Sequence, residues 1–163
     1  MYSGTATRTS GARVPIRLVN PHTGRGVVTV ALVDTGDQQA LVDPAVLAAL
    51  GATAIGSGAV AGVGSGPAIG AGKYLLDWDC GAAGYVRGVK TDAVSLAGIG
   101  VGALLGRNVP SGGFLLYDFA SGRFDLSVGG AGGAASAAPP GRGWVAPLVV
   151  MGAAATVLAL FGH

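Results

Sequence analysis

Residues 31–43 read Ala31-Leu32-Val33-Asp34-Thr35-Gly36-Asp37-Gln38-Gln39-Ala40-Leu41-Val42-Asp43. The run leading into the first Asp, VVTVALVD from Val27 to Asp34, is β-branched and mostly apolar, as for a strand covered on both faces. A carboxylate at the end of such a strand is not an ordinary surface charge. Thr35 brings a hydroxyl that can hold a turn, and Gly36 lets a second backbone approach closely. As a bare tripeptide, Asp-Thr-Gly is a weak signal, since all three residues are common in turns. On those three residues alone a structural turn is the stronger reading.

Outward from this segment, strands dominate. Upstream, VPIRLVN (Val14 to Asn20) alternates apolar and polar positions, and Pro21-His22-Thr23-Gly24 supplies turn chemistry. Downstream, DPAVLAALG (Asp43 to Gly51) predicts a short helix. Asp43 is its N-cap, Pro44 its first residue and Gly51 its C-cap, with Leu47 and Leu50 on one face. The Gly-rich stretch from Gly56 to Gly72 reads as a mobile hairpin, and Tyr74 to Trp78, Tyr85 to Val89 and Ala93 to Ile99 as short strands. Leu115 to Phe119 and Arg123 to Val128 flank Ala120-Ser121-Gly122 as a closing hairpin. A single mainly β domain over residues 14–128 follows, with residues 1–13 as an unstructured lead-in.

Composition narrows the class. Of 163 residues 31 are Gly and 29 are Ala, Glu is absent, and charged residues make up 11%. That is too little charge for long charged disorder, and the absence of Glu argues against a coiled coil. Cys80 stands alone, so there is no disulfide scaffold, and a net charge of +2 is no nucleic-acid footprint. The length also rules out building two full lobes from one chain. Arg outnumbers Lys by 8 to 2, which with the Ala and Gly bias suits a GC-rich bacterial genome.

GGAGGAASAAPPGRG (129–143) cannot bury enough apolar surface to fold and reads as a flexible linker. Beyond it, WVAPLVVMGAAATVLALFG (144–162) carries no charge and no polar face. As a helix it would run about 28 Å against a hydrocarbon core of about 30 Å, so a transmembrane helix is expected rather than a buried amphipathic one. With no apolar h-region at the N-terminus, no cleavable signal peptide is expected, and the chain reads as a single-pass protein anchored at its C-terminal end. Arg142 weakly favours the cytoplasmic side for the folded domain. Gly152 and Thr156, or Ala155 and Ala159, give small-xxx-small spacing that can pair two such helices.

The order of landmarks changes the weight of Asp-Thr-Gly. ALVDTGDQQALVD resembles the active-site segment of the retropepsin-like aspartic proteases: apolar strand, D-T-G, a short polar stretch, then another apolar strand. AVAGVGSGPAIG (59–70) is placed and composed like the flap of that family, a Gly-rich hairpin that closes over substrate. Ala103-Leu104-Leu105-Gly106-Arg107-Asn108 resembles its second signature, which opens a short helix. The final strands FLLYDF and RFDLSV sit where the dimer-forming end of the family would lie.

The resemblance implies a retropepsin-like β-barrel half, one lobe per chain, acting as a homodimeric aspartic endopeptidase on an extended polypeptide. Two Asp34 residues, one from each subunit, would face each other and share a proton, one acting as general base on water and the other as general acid. Thr35 would brace the two loops, and Gly36 would accept close approach of substrate. Gly62, Val63, Gly64 and Ser65 of the flap would hold the peptide and exclude water. Gly106, Arg107 and Asn108 would support the site. This sequence departs from the family where Asp37 follows Gly36 and Gln38 stands where an Asp often meets the Arg, so Asp37 is expected to pair with Arg107. The competing reading is a membrane-anchored peptide-binding or dimerisation module of the same fold, without catalysis.

Other signals are weaker. Gly98-Ile99-Gly100-Val101-Gly102-Ala103 with Asp118 imitates a dinucleotide fingerprint but lacks a βαβ unit. His22 and His163 have no carboxylate at ligand spacing, so neither a metal nor another cofactor is expected. Asp77 and Asp79 read as solvent-facing charges, Cys80 as a small core residue, and Tyr85 with Arg87 as an exposed sheet face.

Overall fold

The structure, a computed structural model, describes residues 1–7, 11–61, 68–109 and 113–129. Ten strands and one α-helix fill them: β1 (Tyr2–Thr7), β2 (Gly11–Val19), β3 (Gly26–Val33), β4 (Ala40–Val42), α1 (Pro44–Leu50), β5 (Gly56–Val60), β6 (Ile69–Asp79), β7 (Tyr85–Ala93), β8 (Ala103–Leu105), β9 (Phe114–Asp118) and β10 (Arg123–Ser127). The domain is mainly β, as expected. Six strands close on themselves in the order β2-β3-β8-β4-β7-β6, with β6 pairing back onto β2, while β1, β10 and β9 extend the sheet from β2.

Local chemistry accounts for the clearest elements. In β2 the alternation buries Ala12, Val14, Ile16 and Leu18 and turns Arg13, Pro15 and Arg17 outward. Those buried residues meet Ala31, Val42, Leu76, Trp78 and Leu105 in the main core. The opposite face of β3 carries Val30 and Leu32 against a second cluster of Leu41, Leu96, Val101 and Leu104, so both faces are covered. Helix α1 is capped as its sequence predicts. The Asp43 side chain accepts from the Ala45 N–H at 2.9 Å, and Gly51, at φ 59°, donates back to Ala48 at 3.0 Å.

Three expectations need correction. Residues 1–13 are not an unstructured lead-in: Tyr2–Thr7 forms β1, pairing with β10 on one side and β2 on the other. Only Ala6 of β1 is buried, so the strand is held by backbone pairing supplied from distant segments and leaves no local apolar pattern. Ala93 to Ile99 is not a strand. Ala93 ends β7, and Ala97–Ile99 is a 3-10 turn closed by Gly100 in the left-handed region at φ 64°. No helix opens at Gly106–Asn108. Val109 donates to Gly106 in a turn, and Pro110 disfavours helical backbone at the residue before it.

Among the described residues no helix is long and apolar enough to cross a membrane. The expected anchor at 144–162, the linker at 129–143 beyond its first residue, and the flap residues Gly62, Val63, Gly64 and Ser65 lie outside the described residues.

Candidate active site

The strand order brings the sequence landmarks to one end of the barrel. β3 and β8 run parallel, with Val33 opposite Leu105, so the segments leaving them, Asp34–Asp37 and Gly106–Asn108, emerge side by side. The Asp34 N–H donates to the Leu105 carbonyl at 3.2 Å, and the Arg107 N–H donates to the Asp37 carbonyl at 3.0 Å. Gly106 sits buried between them. A Cβ there would lie 2.2 Å from the Gln39 carbonyl oxygen, so only glycine lets the two segments pass this closely. Asn108 ties the loop to β7, donating from Nδ2 to the Lys90 carbonyl at 2.8 Å and to Gln39 Oε1 at 3.3 Å.

Asp34 is half-buried at the lip of this clamp. Its Oδ1 accepts the Gly36 N–H at 2.9 Å, and among the described residues no donor meets Oδ2. A Cβ at Gly36 would come 3.1 Å from the same Oδ1, so a side chain there would push the Asp34 carboxylate by a few tenths of an ångström. Thr35 is exposed beside it. Asp34, Thr35 and Arg107 line an open cavity of about 350 Å³ whose other walls include Val33, Leu105, Leu115 and Leu126. A mostly apolar hollow with a few convergent polar groups is the usual form of a binding site.

Asp37 and Arg107 do meet, though not as an ion pair of side chains. Arg107 Nε donates to the Asp37 main-chain carbonyl at 3.4 Å, while the Asp37 carboxylate accepts the Gln39 N–H at 3.1 Å. The carboxylate turns back on its own loop because an Asx turn is within reach two residues on.

The remaining candidates fall elsewhere. Asp77 is not merely solvated: its Oδ2 accepts the Tyr85 hydroxyl at 2.8 Å and its Oδ1 the Gly88 N–H at 2.8 Å. Arg87 stacks over the Tyr85 ring at 5.8 Å, and burial with the Asp77 bond raises the tyrosine pKa above its usual value. Buried Asp79 accepts the Gly81 N–H at 3.0 Å and is paired in register with Arg17. Arg17 in turn lies opposite Val28, six residues before Asp34, or about 20 Å along an extended strand. Cys80 is buried in the core, where desolvation and then the Asp79 charge push its thiol up to about 12. It stays protonated and unreactive at neutral pH. In the imitation dinucleotide motif, Gly102 is small for packing: a Cβ there would fall 2.0 Å from Thr29 Oγ1. The segment enters β8 rather than a helix.

Sequence reasoning missed the ion pair between Lys73 on β6 and Asp92 on β7, 2.9 Å apart. The two residues are 19 positions apart, and only the strand register brings them together.

No protein-family model and no curated protein sequence matches the chain.

Proposed function

We propose that the chain supplies one half of an aspartic endopeptidase with a retropepsin-like fold, completed when a second copy brings its own Asp34 to the first. The observation that carries this reading is the state of Asp34. One oxygen is oriented by the Gly36 N–H, the other has no donor among the described residues, and the loop is clamped at a cavity's lip. In the paired site one carboxylate takes a proton from a bound water, whose oxygen attacks the peptide carbonyl carbon. The other carboxylic acid gives its proton to the carbonyl oxygen. Collapse of the tetrahedral species then breaks the C–N bond as the amine nitrogen is protonated.

The second copy has a surface to meet. β9 is the last strand in the sheet order, so one of its edges has no partner strand among the described residues. Phe114, Leu116 and Phe119 on and just after it are 45%, 62% and 89% exposed. An open apolar edge is a template for pairing with another chain. Segment 144–162 would tether both copies to one membrane and raise their effective concentration.

The test is peptide hydrolysis by the full chain in detergent micelles between pH 4 and 7, wild type against Asp34→Ala. Cleavage by the wild type that the substitution abolishes supports the enzyme. Absence of cleavage in both overturns it in favour of a peptide-binding module.

A further inference from the structure

One line of paired residues crosses six strands of the sheet. Leu32 on β3 lies opposite Leu104 on β8, and Leu104 opposite Leu41 on β4. Leu41 then lies opposite Asp92 on β7, Asp92 opposite Lys73 on β6, and Lys73 opposite Gly56 on β5. Directly paired residues share a face, so this is one continuous row. It begins two residues before Asp34 and ends at the base of the β5–β6 hairpin. Its first three members are leucines that pack with Val60 of β5, and its far end is charged.

The charged end is asymmetric. The Asp92 side chain is 6% exposed and the Lys73 side chain 39%. The buried carboxylate needs its counterion, but the ammonium has three N–H donors and uses one on Asp92 at 2.9 Å. The Lys73 stem lies along Gly58 of β5, where a Cβ would come 2.4 Å from its Cε. Glycine at that point lets the stem run beside the hairpin, leaving the partly solvated ammonium on the face that carries Leu32, two residues before Asp34.

We propose that Lys73 is a specificity-determining residue. It selects extended peptides that carry an acidic side chain some residues away from an apolar residue seated beside Asp34. This rests on the reading of the site as one that binds extended polypeptide. Adjacent strands are spaced by about 4.8 Å, so four steps separate Leu32 from Lys73 by at most about 19 Å. An extended peptide rises about 3.4 Å per residue, which places the acidic side chain within about six residues of the apolar one.

The experiment measures binding, so that it reads selectivity whether or not the chain hydrolyses peptides. The full chain carrying Asp34→Asn, in detergent micelles at pH 6.5, is titrated with labelled ten-residue peptides. Each has a central Leu-Leu pair and one Glu, Gln or Lys at each position two to six residues away. The expected result is about tenfold tighter binding of Glu than of Gln at one position, the scale of a charge-assisted hydrogen bond, with Lys weaker still. Removing Lys73 alone would strand the buried Asp92, so the deciding variant is the double substitution K73M/D92L, which removes both charges together. It should bind Glu and Gln peptides within twofold of each other, while K73R keeps the preference. Equal binding of Glu and Gln peptides by the parent chain, or a preference that survives in the double variant, overturns the inference. Hydrolysis by the wild-type chain separately decides the protease reading.

Discussion

Asp34 and Asp43 stand nine residues apart, each just past a strand and each accepting the N–H two residues on at 2.9 Å through Oδ1. They differ in the second oxygen. Asp43 Oδ2 accepts the buried Leu96 N–H at 2.8 Å, so both oxygens of this 5% exposed carboxylate are consumed in capping α1 and anchoring the segment after β7. Asp34 Oδ2 has no donor among the described residues, and Asp34 lines a cavity. The same turn thus leaves two carboxylates whose purposes differ on the reading proposed above: both oxygens of Asp43 are committed to the fold, while Asp34 keeps one for the proposed chemistry.

Substitution at the two positions should separate those purposes. Asp34→Asn is expected to lower peptide hydrolysis by about 10³-fold or more, the scale of lost general acid–base catalysis. Its amide oxygen still accepts from Gly36, so urea denaturation should shift by less than about 1 kcal/mol. Asp43→Ala reverses the pattern. Loss of a cap costs about 1 kcal/mol and a stranded buried donor about 1–3 more, so unfolding should register a loss of about 2–4 kcal/mol. Activity should fall only with the folded fraction. A stable Asp43→Ala protein without activity would break the comparison.

The Asp34 loop depends on its neighbour segment as well. Gly106→Ala would drive a methyl into the Gln39 carbonyl, and such overpacking typically costs about 1–3 kcal/mol. Denaturation should show that loss, and activity at temperatures where the variant is folded should fall further, because the loop itself is displaced. Leu116→Asp on the open β9 edge tests whether the free oxygen of Asp34 is used with a second copy. Monomer stability should change by no more than about 0.5 kcal/mol, as for exposed positions. The proposed pairing of two copies should need about tenfold higher concentration to form, by sedimentation, with activity lost in parallel.

What the sequence disclosed follows the range of the forces involved. α1 was legible because its cap, first-turn Pro and terminal Gly act over one or two turns. β2 was legible from its alternation of apolar and polar positions, and β3 from a continuous β-branched apolar run. β1 was not, since its pairing partners are β10 and β2 and its own residues stay mostly outside the core. β8 is three buried residues long, too short for any period, and could be noticed only as part of a motif. At the site, Asp34, Gly36, Gly106 and Asn108 were all found by motif, and the structure gives each a local reason. Lys73 and Asp92 were invisible because nothing but register joins them.

Asp37 gives the smallest and sharpest comparison, since it shares a loop with Asp34 and makes the same kind of turn. Among the described residues its carboxylate accepts only the exposed Gln39 N–H at 3.1 Å, whereas both contacts with Arg107 go to its main-chain carbonyl. A side-chain substitution leaves that carbonyl in place. Asp37→Ala should therefore cost about 0.5–1 kcal/mol in urea denaturation, the net value of one exposed hydrogen bond, and leave hydrolysis within about twofold of wild type. A loss of stability beyond about 2 kcal/mol would mean that the carboxylate itself holds Arg107 in solution. A loss of activity at unchanged stability would mean that the Asp37 side chain acts on the Asp34 loop directly, through the turn the two share.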